Sequence, residues 1–182
     1  MATDIIPRLY KALPQARAWI DRFLAAHETT AQSVGSLGSR RLAACFPADF
    51  LERSRIVLVD HVTFPPVESF GLSEFAPLHH MDFEGITFKD TIFVRRDRKY
   101  DGLYFHELVH VAQWARLGVD DFLLAYAIGL AQQSYRETPL ENMAYHLQAK
   151  FEAGTLQGDL IQQIGHLTDQ AWADARQFLG AS

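Results

Sequence analysis

Residues 104–115 read Tyr-Phe-His-Glu-Leu-Val-His-Val-Ala-Gln-Trp-Ala, a helical pattern that is apolar on almost every side and yet carries His106, Glu107 and His110. Such a helix has to be buried, and its polar groups then need partners. At about 100° per residue, His106 and His110 stand about 40° apart on one face, and Glu107 lies about 60° beyond His110. Tyr104, Leu108, Val111, Ala112 and Ala115 make up the opposite face and are expected in a core. Two neutral imidazoles one turn apart can hold a single zinc ion, and a neighbouring carboxylate can then take a proton from water. A core helix with two hydrogen-bonded histidines would leave the same pattern, so the rest of the chain has to decide.

The chain has 182 residues, 48% hydrophobic and 21% charged, which fits one domain over 1–182 with a sizeable core. The expected class is α+β: mostly helical, with a small sheet or hairpin ahead of the histidine helix. A net charge of -5 without a basic stripe argues against nucleic acid as a partner. No stretch has the length of a membrane span, and residues 1–10 lack a basic and apolar leader, so a cytoplasmic protein is expected. Cys45 stands alone and reads as a small buried hydrophobe.

Taken in order, Ala16, Trp19, Ile20, Phe23 and Leu24 predict an amphipathic helix from Pro14 to about His27. Residues 28–39 are small and polar and read as a flexible connection. A short helix after Pro47 leads to a β-branched strand over residues 55–64, and residues 67–84, with His79 and His80, read as a long loop whose histidines are exposed. Residues 85–95 predict two short strands around Lys89-Asp90. The second of them comes close before His106, so it should pass beside the site, either as a free edge or paired on both sides. Gly118 should end the histidine helix, and Phe122 to Gln133 form another with Leu123, Tyr126, Ala127 and Leu130 on one side. Thr138-Pro139-Leu140-Glu141 begins a further helix running to about Phe151, and the tail is a helical packing element bent near Gly165.

A catalytic zinc usually has three protein ligands, which leaves one to find. The position six residues after His110 is Arg116 and the one three after it is Gln113, so the metzincin pattern is excluded. Glu141 is the leading candidate, although with Thr138 it also matches a capping box that would occupy its carboxylate. His146, Glu137 and the His79-His80 loop are the rivals. Gln113 lies one turn beyond His110 and can orient its ring; Tyr135 or Tyr145 can supply a donor to a developing oxyanion.

With His106-Glu107-x-x-His110 followed by Pro139-x-Glu141, the chain resembles the gluzincin branch of the zincin metallopeptidases over roughly residues 86–151. Within that branch it looks like the small bacterial minimal zincin domains of unassigned role. The resemblance implies a Zn2+ cofactor held by His106, His110 and Glu141, with Glu107 as general base and a peptide or protein as substrate. It departs from the thermolysin-like enzymes in lacking their Glu-x-x-x-Asp signature, since Tyr145 stands four residues after Glu141. The competing reading is a binding or structural module that keeps the fold, and even the metal, but cleaves nothing.

Overall fold

The computed structural model describes residues 5–180; residues 1–4, part of the stretch read for a leader, and residues 181–182 lie outside it. The fold is α+β and mostly helical, with six α-helices and a four-stranded sheet among the described residues. Helix α1 covers Ile5–His27, nine residues more than the pattern beginning at Pro14 suggested. Ile5, Ile6, Leu9, Ala12 and Leu13 are all buried, and this burial offsets the hydrogen bond that Pro14 cannot make.

Residues 28–39 are not a free linker. Strand β1 (Gln32–Ser33) pairs antiparallel with β2 (Arg55–Val59), and a 3-10 turn over Val34–Leu37 is capped by the Ser33 hydroxyl. Short helices α2 (Arg40–Ala43) and α3 (Ala48–Arg53) follow. β2 stops at Val59 rather than Phe64, where the neighbouring strand also turns away. Phe64 instead stacks on Phe83 with ring centres 5.8 Å apart and joins the wall of the site. The long segment beyond it is wound into 3-10 turns over Val67–Phe70 and Ser73–His80, and His79 and His80 are exposed, as expected.

Strands β3 (Gly85–Phe88) and β4 (Thr91–Arg95) form the expected hairpin, turning at Lys89 with φ 57°. Sheet order is β1-β2-β4-β3, with β2 and β4 parallel. Of the two arrangements open for β4, a free edge or pairing on both sides, the structure has the second. The edge is β3, whose outer side no strand of the described residues covers. Because side chains alternate along a strand, Gly85 and Thr87 share one face with their partners Val94 and Ile92, while Ile86 shares the other with Phe93. Trp19 and Phe23 of α1 pack on Phe88, and Phe23 also meets Phe93 at 4.8 Å, which seals that second face.

Helix α4 runs Asp101–Gln132 but breaks at Gly118, whose φ of 75° and ψ of 179° suit glycine alone. The break falls where the sequence placed a helix end. The first arm is buried on all sides from Gly102 to Trp114, and Ala115, expected in the core, is exposed because burial ends one residue earlier. Across the break, Trp114 stacks on Phe122 at 3.9 Å, so the second arm turns back toward the first. Helix α5 (Pro139–Ala153) lies along α4 with Phe151 stacked on Phe105 at 4.4 Å. Helix α6 (Leu160–Gly180) packs on α4 and runs unbroken through Gly165, where a break or bend was expected. Buried Ile164, Thr168, Ala171 and Ala175 keep one continuous face across that glycine, and packing outweighs its low helix propensity.

Candidate metal centre

The first arm of α4 and the first turn of α5 bring His106, His110 and Glu141 together, each more than nine-tenths buried. His106 Nε2 lies 3.1 Å from His110 Nε2; Glu141 Oε1 is 3.3 Å from His110 Nε2, and Glu141 Oε2 is 3.4 Å from His106 Nε2. The capping box that competed for Glu141 is not formed: the Thr138 hydroxyl donates to Tyr135 O at 2.9 Å, and the carboxylate turns to the histidines instead. Of the rival ligands, His146 and Glu137 are exposed, and His79 and His80 stay on the surface of their loop.

The protonation of the two rings follows from their outer nitrogens. His110 Nδ1 is 2.8 Å from Gln113 Oε1, and that amide is fixed by donating through Nε2 to Leu140 O at 3.0 Å. His106 Nδ1 is 3.1 Å from Gln148 Oε1, whose Nε2 donates to Glu152 at 2.9 Å. Both amide oxygens therefore accept, both Nδ1 atoms donate, and the Nε2 lone pairs face each other beside a carboxylate. Two ring nitrogens and a carboxylate this close in a buried site could hold a cation between them. Glu141 Oε2 makes the same point: it is buried and receives no hydrogen bond among the described residues. Ligands bound to zinc at about 2.0–2.1 Å in a tetrahedral arrangement stand about 3.3 Å apart, close to the separation of the two nitrogens and of each nitrogen from its nearer carboxylate oxygen.

Without a metal, a proton has to fill this role. Burial opposes charge on His110, but the Glu141 carboxylate outweighs it and raises the imidazole's pKa from 6.5 to about 9. Burial likewise works against the Glu141 carboxylate, and His110 and His106 overcome it, holding the group well below the usual carboxylate range. The stabilisation that the His110 shift gives the metal-free fold is complete below pH 6.5 and is lost as pH rises through about 9. Zinc uptake at pH 7 should accordingly expel about one proton per ion. Calorimetry in buffers of different ionisation enthalpy measures that number, and a value of zero would mean that His110 Nε2 is already free.

Glu107 is set apart from this triangle. Its Oε2 accepts from the Thr87 hydroxyl at 2.7 Å, and a Cβ on Gly85 would come within 2.5 Å of its Oε1. The edge strand thus clasps the carboxylate through two residues of one face, and Trp114 Nε1, donating to Thr87 O at 3.2 Å, ties that strand to α4. Burial raises the Glu107 pKa, while His106, His110 and Thr87 act in the opposite sense without cancelling it.

Tyr126, on the second arm of α4, donates to Glu141 Oε1 at 2.6 Å. Neither it nor Thr87 was singled out from sequence: Tyr126 sits in an apolar helical stripe, and no spacing rule links a strand residue to a helix. Of the two phenols that were, Tyr145 packs at a tilt against His106 with ring centres 4.5 Å apart and lies under the Arg136 guanidinium at 4.6 Å. Tyr135 packs edge-on to Phe83 at 5.4 Å and lines the site. Burial, followed by the nearby Glu141 charge, pushes both phenols up, so both remain proton donors at neutral pH.

Comparison of the chain with family models, curated proteins and solved structures gives no match. No helix among the described residues is long and apolar enough to cross a membrane.

Proposed function

We propose that this chain is a zinc-dependent peptidase of gluzincin type, with His106, His110 and Glu141 holding the ion and Glu107 acting as general base. The observation that carries this reading is the buried triangle of His106 Nε2, His110 Nε2 and Glu141, with both outer nitrogens of the rings committed to amide oxygens. Two imidazoles and one carboxylate form the donor set of many catalytic zinc sites. A zinc ion held there supplies Lewis acidity, which polarises a scissile carbonyl and makes water a nucleophile near neutral pH.

The chain's own residues supply the remainder. Glu107, raised in pKa by burial and steadied by Thr87, takes the proton of the attacking water and returns it to the leaving amine. The Tyr126 proton is given to Glu141, and Tyr135 and Tyr145, which line the cleft, are the phenols assigned to donate to a carbonyl oxygen as its charge develops. At its Gly85 end, beside Glu107, the strand-free side of β3 offers backbone groups to an extended peptide, whereas Trp114 already occupies Thr87 O farther along. A purely structural zinc site needs no such carboxylate. The clasping of the Glu107 carboxylate by the edge strand therefore favours hydrolysis over a metal-keeping module. A single free thiol, Cys45, suits a reducing, cytoplasmic setting.

Purified protein supplied with zinc should bind one equivalent and cleave members of a mixed peptide library, with chelator abolishing cleavage and zinc restoring it. Folded protein that takes up no zinc would refute the site; zinc uptake without any cleavage would leave a binding module.

A further inference from the structure

The space around Glu107 is divided in two, and the halves differ in size and character. On the His106 side lies a wide cleft of about 590 Å³ lined by polar groups that include Tyr100, Arg136, Gln148 and Glu152. On the His110 side lies a pocket of only about 100 Å³ walled by Ile86, Phe88, Trp114, Phe122 and Leu123. Phe83, Gly85, Glu107 and Tyr135 border both. A peptide laid across the site places the side chains on either side of its scissile bond in these two unlike compartments.

Direction follows from β3. Its Gly85 end borders the polar cleft and its Phe88 end borders the apolar pocket. Antiparallel pairing at Gly85, the more stable arrangement, points the peptide's amino-terminal part toward the Phe88 end, where Trp114 holds Thr87 O and forms the pocket wall, so the residue contributing the scissile carbonyl turns its side chain into the apolar pocket. Size follows from volume. An apolar cavity of about 150 Å³ takes benzene, so two-thirds of that volume admits a branched aliphatic group and not an aromatic ring.

We propose that the enzyme selects peptides with an aliphatic residue of valine to leucine size on the acyl side of the cleaved bond, and that Leu123 is the residue that gauges it. This rests on the peptidase reading above. Leu123 belongs to the wall, together with Phe64, Pro65 and Tyr126, that separates this pocket from a second apolar cavity of about 100 Å³ between α1 and the second arm of α4. Trimming Leu123 joins the two spaces, and enlarging it closes the first.

The test measures binding, not turnover. Zinc-loaded protein is titrated calorimetrically with amino-acid hydroxamates carrying Ala, Val, Leu, Phe or Trp side chains, each referred to acetohydroxamate, which has no side chain to place. The leucine compound should exceed the alanine and phenylalanine compounds by at least about tenfold. Leu123→Ala should move the optimum to phenylalanine, and Leu123→Phe should erase the advantage of leucine. If acetohydroxamate binds but the series is flat, or if neither Leu123 variant changes its order, the pocket proposal is overturned while the metal site stands. If acetohydroxamate does not bind the zinc-supplied protein at all, the peptidase reading and this proposal fall together.

Discussion

Glu107→Gln is expected to lower peptide hydrolysis by about a hundred- to ten-thousand-fold, the usual contribution of a positioned general base, with one zinc still bound. The amide matches the carboxylate in size, and its oxygen can go on accepting from the Thr87 hydroxyl that now lies 2.7 Å from Glu107 Oε2. Gly85 continues to leave room for it. What disappears is the group that takes a proton, because an amide is not basic. Elemental analysis and rate have to be read together. Loss of both would mean that Glu107 helps to hold the metal, whereas full activity with metal present would remove it from the chemistry.

Glu141→Gln should act in the opposite order, with zinc lost first and activity lost as a result. Its carboxylate stands 3.3 Å from His110 and 3.4 Å from His106, and no neutral amide replaces its charge. Chelator competition should show a drop in zinc affinity of more than about a hundredfold. Gln113→Leu, which removes the partner of His110 Nδ1 together with the donor to Leu140 O, should cost about 10–100-fold. Helix α5 should form normally in the variant, because Thr138 hydrogen-bonds to Tyr135 O and not in a capping box with Glu141. Wild-type zinc affinity in Glu141→Gln would exclude it as a ligand.

Much of the site was legible because its residues obey local rules. His106, Glu107, His110 and Gln113 lie on one helix, where a fixed rotation per residue converts spacing into direction. Glu141 was reachable as a carboxylate at a helix start, but its competition with the capping box is settled by Tyr135 O, a backbone atom that has no sequence signature. Thr87 and Tyr126 were out of reach for a related reason. Each meets its carboxylate through tertiary packing, Thr87 from the sheet and Tyr126 from beyond the break at Gly118. The hairpin over β3 and β4 was readable from alternation and turn residues, but which strand becomes the edge depends on β2 joining β4 in parallel across more than thirty residues. The start of α1 was misjudged at Pro14 and the continuity of α6 at Gly165, two residues that weaken a helix locally and are overruled by continuous buried faces.

Gly118 gives α4 the mechanics of a jointed rod. In an unbroken helix, the sixteen residues between His110 and Tyr126 would hold them about 24 Å apart along the axis. With the joint, the Tyr126 hydroxyl reaches Glu141 Oε1 at 2.6 Å, and that same oxygen is 3.3 Å from His110 Nε2. The second arm is thus fastened to the first through a carboxylate that belongs to neither. An ion gripping His106, His110 and Glu141 would therefore bolt three pieces of backbone together at one point, and the free energy of its binding would be shared by the joint as well as by its ligands. Rigidity across this hinge would then be a property the chain acquires with that ion.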